Sequence, residues 1–213
     1  MNFEFATPSK IVCVGRNYVD HARELGNEVP KEPLLFLKPP ASLIGPGETI
    51  ILPPQSKQVE HEAEIGVVVG KRLSHAGRDE AEQAIEGYVC LNDVTARDLQ
   101  RSDGQWTRAK GFDTFCPVGP RLAKGLNWKD LEVVGRVNGV ERQRAKASQM
   151  VFSIPAILSY ISGIMTLLPG DLVATGTPAG VGPLVPGDIV EVEVTGVGVL
   201  RNPVEAFQGN GQS

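Results

Sequence analysis

The sequence predicts a β-rich α+β fold with short helices, on three observations. Glycine and proline are abundant, at 24 and 16 of 213 residues, so many tight connections are expected. The apolar segments are short and β-branched, as at residues 11–15 and 65–69, which is the size of strands. Asn138-Gly139 stands between two such runs, residues 133–137 and 140–144, and is the strongest short hairpin signal. The length suits a single domain over residues 1–213, enough to bury a full core.

Taken in order, residues 11–15 (IVCVG) form a strand ending on glycine. Residues 16–26 form a short helix with Asn17 as N-cap and Gly26 as its stop. Residues 34–37 (LLFL) are a strand running into Lys38-Pro39-Pro40, and Gly45-Pro46-Gly47 turns the chain. Residues 50–52 are a strand closed by Pro53-Pro54. Residues 59–70 (VEHEAEIGVVVG) read as one strand with a charged first half. A polar helix at 79–86 leads into a buried strand at 88–93 that ends on an acid. Residues 95–101 suit one or two helical turns capped by Thr95. Residues 102–119 have little periodicity and read as a long loop, ordered by Trp106, Phe112 and Phe115. Ser153 caps a helix with Pro155 in its first turn, running to Gly163. Two Pro-Gly-Asp units, in residues 168–173 and 185–190, each launch a strand, and a glycine-rich loop (175–182) lies between them. Residues 191–202 (EVEVTGVGVLRN) alternate cleanly, as one half-exposed strand would.

Net charge is −4 with no long run of either sign, which argues against nucleic acid or a membrane surface as partner. No apolar run approaches a membrane span and the first residues lack a signal-peptide layout, so a cytoplasmic protein is expected. Cys13, Cys90 and Cys116 are odd in number and lack zinc-site spacing, and they read as reduced, buried thiols.

The chemistry begins within residues 59–70. Side chains alternate across a strand, so Glu62 and Glu64 point the same way with Cα atoms roughly 6.6 Å apart. Two carboxylates so spaced can close on one hard cation, at about 2.0–2.1 Å if it is Mg²⁺. A wet strand face with Glu60, Glu62 and Glu64 all in water is the alternative this stretch leaves open. Asp93 ends an apolar strand, where an acid is solvated, paired, bound to metal, or a cap before Thr95. Should its strand neighbour the first, three carboxylates converge, and an all-oxygen set favours Mg²⁺, Mn²⁺ or Ca²⁺ over zinc. Such a set leaves coordination positions to water and substrate.

His21 and Glu24 are neighbours at i and i+3 on the first helix, beside Asp20. A carboxylate on one imidazole nitrogen raises the basicity of the other, which suits deprotonating a water; an ordinary surface pair is the commoner case. Arg16, Arg97, Arg108 and Lys110, with Gln100, supply donors for an anion, although each also suits solvent, Arg108 above all. Gly176-Thr177-Pro178 offers a hydroxyl and backbone N–H groups to a carboxylate, without the Lys-Ser/Thr ending of a nucleotide loop, so an ATP site is rejected.

The order of these pieces resembles the fumarylacetoacetate hydrolase family, in particular its small single-domain acylpyruvate hydrolase and oxaloacetate decarboxylase-like branch. The motifs are Val14-Gly-Arg-Asn-Tyr with His21 and Glu24, Phe36-Leu-Lys-Pro, Glu62-Ala-Glu-Ile-Gly-Val-Val, Asn92-Asp-Val-Thr-Ala-Arg-Asp98 with Gln100, Lys110-Gly-Phe-Asp, Phe152-Ser-Ile-Pro, and the stretch from Leu172 to Gly182. The resemblance implies a mixed β-sandwich roll, the fold of that family's C-terminal domain, in a homodimer. It implies Mg²⁺ or Mn²⁺ held by Glu62, Glu64 and Asp93. His21 and Glu24 would be the water-activating pair on a helix that orders as a lid, with Lys110 beside the metal. Arg16, Gln100 and Thr177 would hold a small anionic dicarbonyl substrate. Glu60 is then left in water and His61 off the metal.

The implied reaction is hydrolysis of an acylpyruvate, a 2,4-dioxo acid, to pyruvate and a carboxylic acid through the pyruvate enolate. Oxaloacetate decarboxylation and oxaloacetate enol–keto tautomerisation use the same machinery. They rank behind hydrolysis because His21 and Glu24 have a specific task there. A metal-binding regulatory protein on the same fold is the non-enzyme alternative; the joint presence of triad, base and lysine stands against it.

Overall fold

The β-branched runs fall into a seven-stranded mixed sheet in the computed structural model, which describes residues 4–24, 26 and 28–209. Its spatial order is β2 (Leu34–Lys38), β1 (Ile11–Gly15), β12 (Leu172–Ala174), β6 (Ala63–Val69), β7 (Ile85–Asn92), β9 (Cys116–Ala123) and β3 (Leu43–Ile44). β1 runs parallel to β12 and β3 parallel to β9, while the remaining neighbours are antiparallel. A five-stranded sheet has the order β11 (Val140–Lys146), β10 (Glu132–Val137), β14 (Ile189–Val194), β15 (Gly198–Ala206) and β4 (Ile50–Leu52). Three short strands, β13 (Gly182–Pro183), β5 (Val59–His61) and β8 (Thr95–Ala96), make a third sheet.

Strand alternation sorts the two faces of the large sheet. Ile65, Val67 and Val69 of β6 meet Val133, Val192 and Val194 of the five-stranded sheet, so the two sheets form a sandwich. The helix α5 (Ile154–Ile164) closes this core with Ile154, Ile157, Leu158 and Ile161. Full burial of each such side chain contributes roughly 1.5–3 kcal/mol. The opposite face carries Val68, Val89 and Leu91 with Ile11, Cys13 and Cys116. Gly66 lies on that face, and a Cβ there would stand 2.6 Å from Val89 Cγ2; the glycine lets β7 close on β6. Asn138 and Gly139 take φ of +53° and +76°, the left-handed pair that the predicted hairpin turn requires. All three cysteines are buried and free. No helix among the described residues is long and apolar enough to cross a membrane.

Several elements differ from the sequence reading. Residues 59–70 are two strands in different sheets, broken at Glu62. The break is satisfied locally: Glu62 N–H donates to Asn92 Oδ1 at 3.0 Å, and Asp93 N–H to Glu62 O at 2.9 Å. Asn17 is not a cap. The helix α1 (Val19–Glu24) begins later, and the buried Asn17 amide donates to Phe152 O and Thr175 O while accepting from Phe152 N–H. Gly26 does stop the turn, at φ +67° with its N–H on Arg23 O; Leu25 and Asn27 of the expected lid lie outside the described residues.

The polar helix α2 (Arg78–Gln83) is shorter than expected because β7 already begins at Ile85. Thr95 belongs to β8 and its hydroxyl donates to Asp93 O, so it caps nothing; α3 (Arg97–Asp103) follows. The stretch 102–119 holds α4 (Thr107–Lys110) and the start of β9, whose period is hidden by Pro117, Gly119 and Pro120. Residues 191–202 are the end of β14 and the start of β15, joined through a turn with Gly196 at φ +78°.

Candidate active site

Strand register places the charged groups. Ile11 faces Lys38, Cys13 faces Phe36, and Glu64 faces Leu91. Cross-strand partners share a face, so Phe36, Lys38 and Glu64 all project from the side that carries Cys13 and Leu91. Asp93 follows two residues after Leu91, just past the end of β7, and Glu62 stands at the break between β5 and β6. Carboxylate oxygens of Glu62, Glu64 and Asp93 lie within 4.8 Å of one another, and all three residues are buried.

Three cations are sunk among these acids. Lys110 donates to Glu62 Oε2 at 2.8 Å and to Asp93 Oδ2 at 2.6 Å. Lys38 donates to Asp93 Oδ1 at 2.6 Å and to Val94 O at 3.1 Å. Arg97 bridges Glu60 Oε2 at 2.7 Å, Glu62 Oε1 at 2.5 Å and Gln100 Oε1 at 2.5 Å. Counting Glu60, four carboxylates face three cations, and none of the seven residues is more than 6% exposed. Glu64 is the acid left over: among the described residues no lysine or arginine pairs with it, and Gly176 N–H donates to its Oε2 at 2.7 Å.

The protonation states follow from this imbalance. Burial alone would raise Glu62, but Lys110 and Arg97 overcome it and hold Glu62 well below the usual carboxylate range. Burial, then the charges of Asp93 and Glu62, push Glu64 well above that range. Burial would lower Lys110, yet Asp93 and Glu62 keep it charged above its ordinary value. A divalent cation at Glu62, Glu64 and Asp93 would supply the missing positive charge with hard oxygen donors, so the residues present fit one.

His21 lies 4% exposed with Nδ1 3.4 Å from Glu24 Oε2. Glu24 is itself anchored by Gly180 N–H, 3.0 and 3.1 Å from its two oxygens. Burial lowers the His21 pKa more than Glu62 and Glu24 raise it, so the imidazole is neutral at pH 7. With Nδ1–H turned to Glu24, the Nε2 lone pair is free to act as a base.

One cavity is lined by Glu62, Glu64, Asp93, His21 and Lys110, together with Arg16, Gln100 and Thr177. Arg16 leaves β1 at φ +59°, a left-handed conformation unusual for a side-chain-bearing residue. The Thr177 hydroxyl donates to Ala63 O and accepts from Gln143 Nε2, so its proton is already committed within the chain. Glu24 does not line the cavity and reaches it through His21.

One sequence reading is corrected. Glu60 is not in water: it is 6% exposed and bound by Arg97, because the break at Glu62 turns it onto α3. Arg108 is the solvent-facing charge the sequence suggested: it pairs with Asp103 on the surface, away from the acids. Lys38 carries no functional mark in the sequence: Lys-Pro-Pro after an apolar strand places a charge at a strand end, and nothing local signals that the end faces Asp93. His61 is off the triad, with Nδ1 3.0 Å from Gln143 Oε1.

The family model for the fumarylacetoacetate hydrolase C-terminal domain matches residues 10–205. The chain belongs to the fumarylacetoacetate hydrolase family. A relative from Methanocaldococcus jannaschii is 49% identical over 205 residues, covering 96% of this chain and 86% of its own. The mitochondrial oxaloacetate tautomerase of Bos taurus is 43% identical over 209 residues, covering 92% of this chain and 67% of the tautomerase. Among solved structures, 5-carboxymethyl-2-hydroxymuconate delta-isomerase from Mycobacterium smegmatis superposes with a TM-score of 0.89 at 46% identity, over 95% of this chain and 80% of that one. Members of this hydrolase family are enzymes, hydrolases, isomerases and tautomerases among them, and this chain has their fold.

Proposed function

We propose that this chain interconverts the enol and keto forms of a small 2-oxo diacid of the oxaloacetate kind, with Mg²⁺ or Mn²⁺ held by Glu62, Glu64 and Asp93. The observation that carries the reading is one cavity in which a cation-deficient carboxylate cluster faces a neutral histidine. Relatives named for isomerisation, the bovine tautomerase and the mycobacterial isomerase, move this reading ahead of hydrolysis.

A divalent cation bound there supplies Lewis-acid polarisation of the 2-oxo group and positive charge for an enolate oxygen. The chain's own residues supply the rest. In the keto-to-enol direction His21 Nε2 takes the proton that leaves C3, the imidazolium is stabilised by Glu24 through Nδ1–H, and it returns the proton to the enolate oxygen; ketonisation runs the same transfers in reverse. Lys110 keeps a fixed positive charge at the cavity, where it favours negative charge developing on substrate oxygen. Arg16 and Gln100 face the same space and offer donors to the carboxylates.

Acylpyruvate hydrolysis is the second reading, favoured by the anchoring of Glu24 on Gly180, which holds His21 in the pose of a water-activating base. A side-by-side assay separates the readings. Enol-oxaloacetate decay, pyruvate release from acetylpyruvate and CO₂ release from oxaloacetate are followed with Mg²⁺, with EDTA, and in His21→Ala. The expected result is that enol-oxaloacetate decay is fastest and collapses under EDTA and in His21→Ala. Faster pyruvate release replaces the reading with hydrolysis, faster CO₂ release with decarboxylation. Metal-independent turnover sinks all three.

A further inference from the structure

The cavity has two unlike walls. Adjoining the charged cluster are Val14, Gly15, Phe36 and Trp106, an apolar wall that no proton transfer uses. Trp106 comes from the connection between α3 and α4, where Gly104 turns the chain at φ +70°. Its carbonyl accepts Lys110 N–H at 3.0 Å, so the indole and the buried ammonium are carried one helical turn apart on the same short element.

The indole is clamped on two sides. It meets Phe36 edge-on, with ring centroids 5.1 Å apart and planes at 67°. It also lies over the bare backbone of Gly15, where a Cβ would stand 3.0 Å from its Cζ3 and 3.2 Å from its Cη2. Phe36 in turn lies 4.8 Å from Lys110 Nζ. Lys110, Phe36, Trp106 and Gly15 thus form a continuous packed row, with the indole seated at its Gly15 end.

We infer that Trp106 is a specificity-determining residue that sets the upper length of the substrate, admitting four-carbon 2-oxo acids and rejecting chains extended by one or two methylenes. The inference rests on the reading of this cavity as a 2-oxo acid site. Each methylene that an apolar wall accepts or refuses changes selectivity by about 10–200-fold. Removing the indole should therefore move the length limit without moving the charged wall.

The test is calorimetric binding of 2-oxobutyrate, 2-oxopentanoate and 2-oxohexanoate, with Mg²⁺ present, to the wild type, Trp106→Phe and Trp106→Ala. The wild type should bind 2-oxohexanoate at least about tenfold more weakly than 2-oxobutyrate. Trp106→Ala should cancel or reverse that ratio, with Trp106→Phe between. Trp128, the only other tryptophan, reports by fluorescence whether Trp106→Ala is folded. If it is not, Trp106→Phe, which keeps a ring against Phe36, decides. An unchanged ratio overturns the inference. Failure of all three acids to bind the wild type overturns the inference alone, because the reading beneath it is judged by enol-oxaloacetate decay. A ratio that shifts with Trp106, in a protein that does not turn over oxaloacetate, overturns the proposed reaction alone.

Discussion

Asp171 and Glu64 are both carboxylates shut away from solvent, at 0% and 2% exposure, and their surroundings differ in kind. Asp171 receives Ser9 N–H at 3.0 Å, the Ser9 hydroxyl at 2.7 Å, Lys10 N–H at 3.3 Å, Leu168 N–H at 2.8 Å and the Lys10 ammonium. Burial would raise its pKa, but the Lys10 and Ser9 hydrogen bonds outweigh that and lower it. Among the described residues Glu64 receives one backbone N–H and no cation, and its pKa is raised by burial and by two neighbouring acids. The difference sets an acid satisfied within the fold apart from an acid with donor capacity to spare, as a ligand-holding acid would have. The first has its lone pairs filled from within; the second is left short of charge beside a cavity.

Disturbing the site should cost activity and leave the fold standing. His21→Asn is expected to lower kcat by about 10²–10⁴ with little change in thermal midpoint, checked by steady-state assay and melting curves. Lys110→Met comes next, with kcat reduced by about 10²–10³ as the ammonium proposed to favour negative charge on the enolate oxygen is lost.

Asp171→Asn should do the reverse. It is expected to lower unfolding free energy by roughly 1.5–3 kcal/mol, the worth of a charge-assisted hydrogen bond, in urea titrations, while kcat/KM of the folded enzyme stays at the wild-type value. Its pH signature has a definite sign. A carboxyl with a lowered folded pKa stabilises the protein above its unfolded pKa and loses that contribution as pH falls through the folded value. The wild type should lose stability faster than Asp171→Asn on acidification below about pH 4. The smallest effect is a displaced limb in the pH–rate profile. Because burial lowers the His21 pKa and its neutral form is the base, the acid limb of kcat/KM should have its midpoint below 6.5, the ordinary histidine value.

Much of this contrast could be read before any coordinates. The two Pro-Gly-Asp units announced turns, and both close with the aspartate accepting the N–H three residues back, from Leu168 and from Val185. Alternation brought Glu62 and Glu64 together for a reason only partly right, since the strand breaks at Glu62 while the two carboxylates still converge. The same alternation misplaced Glu60, because a break in register is a tertiary event with no local mark. Lys38 and Arg97 reach the acids from β2 and α3, far apart in sequence, so only sheet order shows that they neutralise Asp93 and Glu62. β9 was hidden by its own prolines and glycine. Trp106 could be read as an ordering residue in a loop; its seat on Gly15 depends on where β1 ends.

A buried acidic cluster left one cation short should take up a divalent metal. Titration of metal-stripped protein with Mn²⁺, read by the loss of the free-ion paramagnetic resonance signal, tests it most directly. One ion per chain is expected in the wild type and in Asp171→Asn, and loss of that ion in Glu64→Gln and Asp93→Asn variants that remain folded. Undiminished Mn²⁺ uptake by folded Glu64→Gln and Asp93→Asn, or none by the wild type, would contradict it.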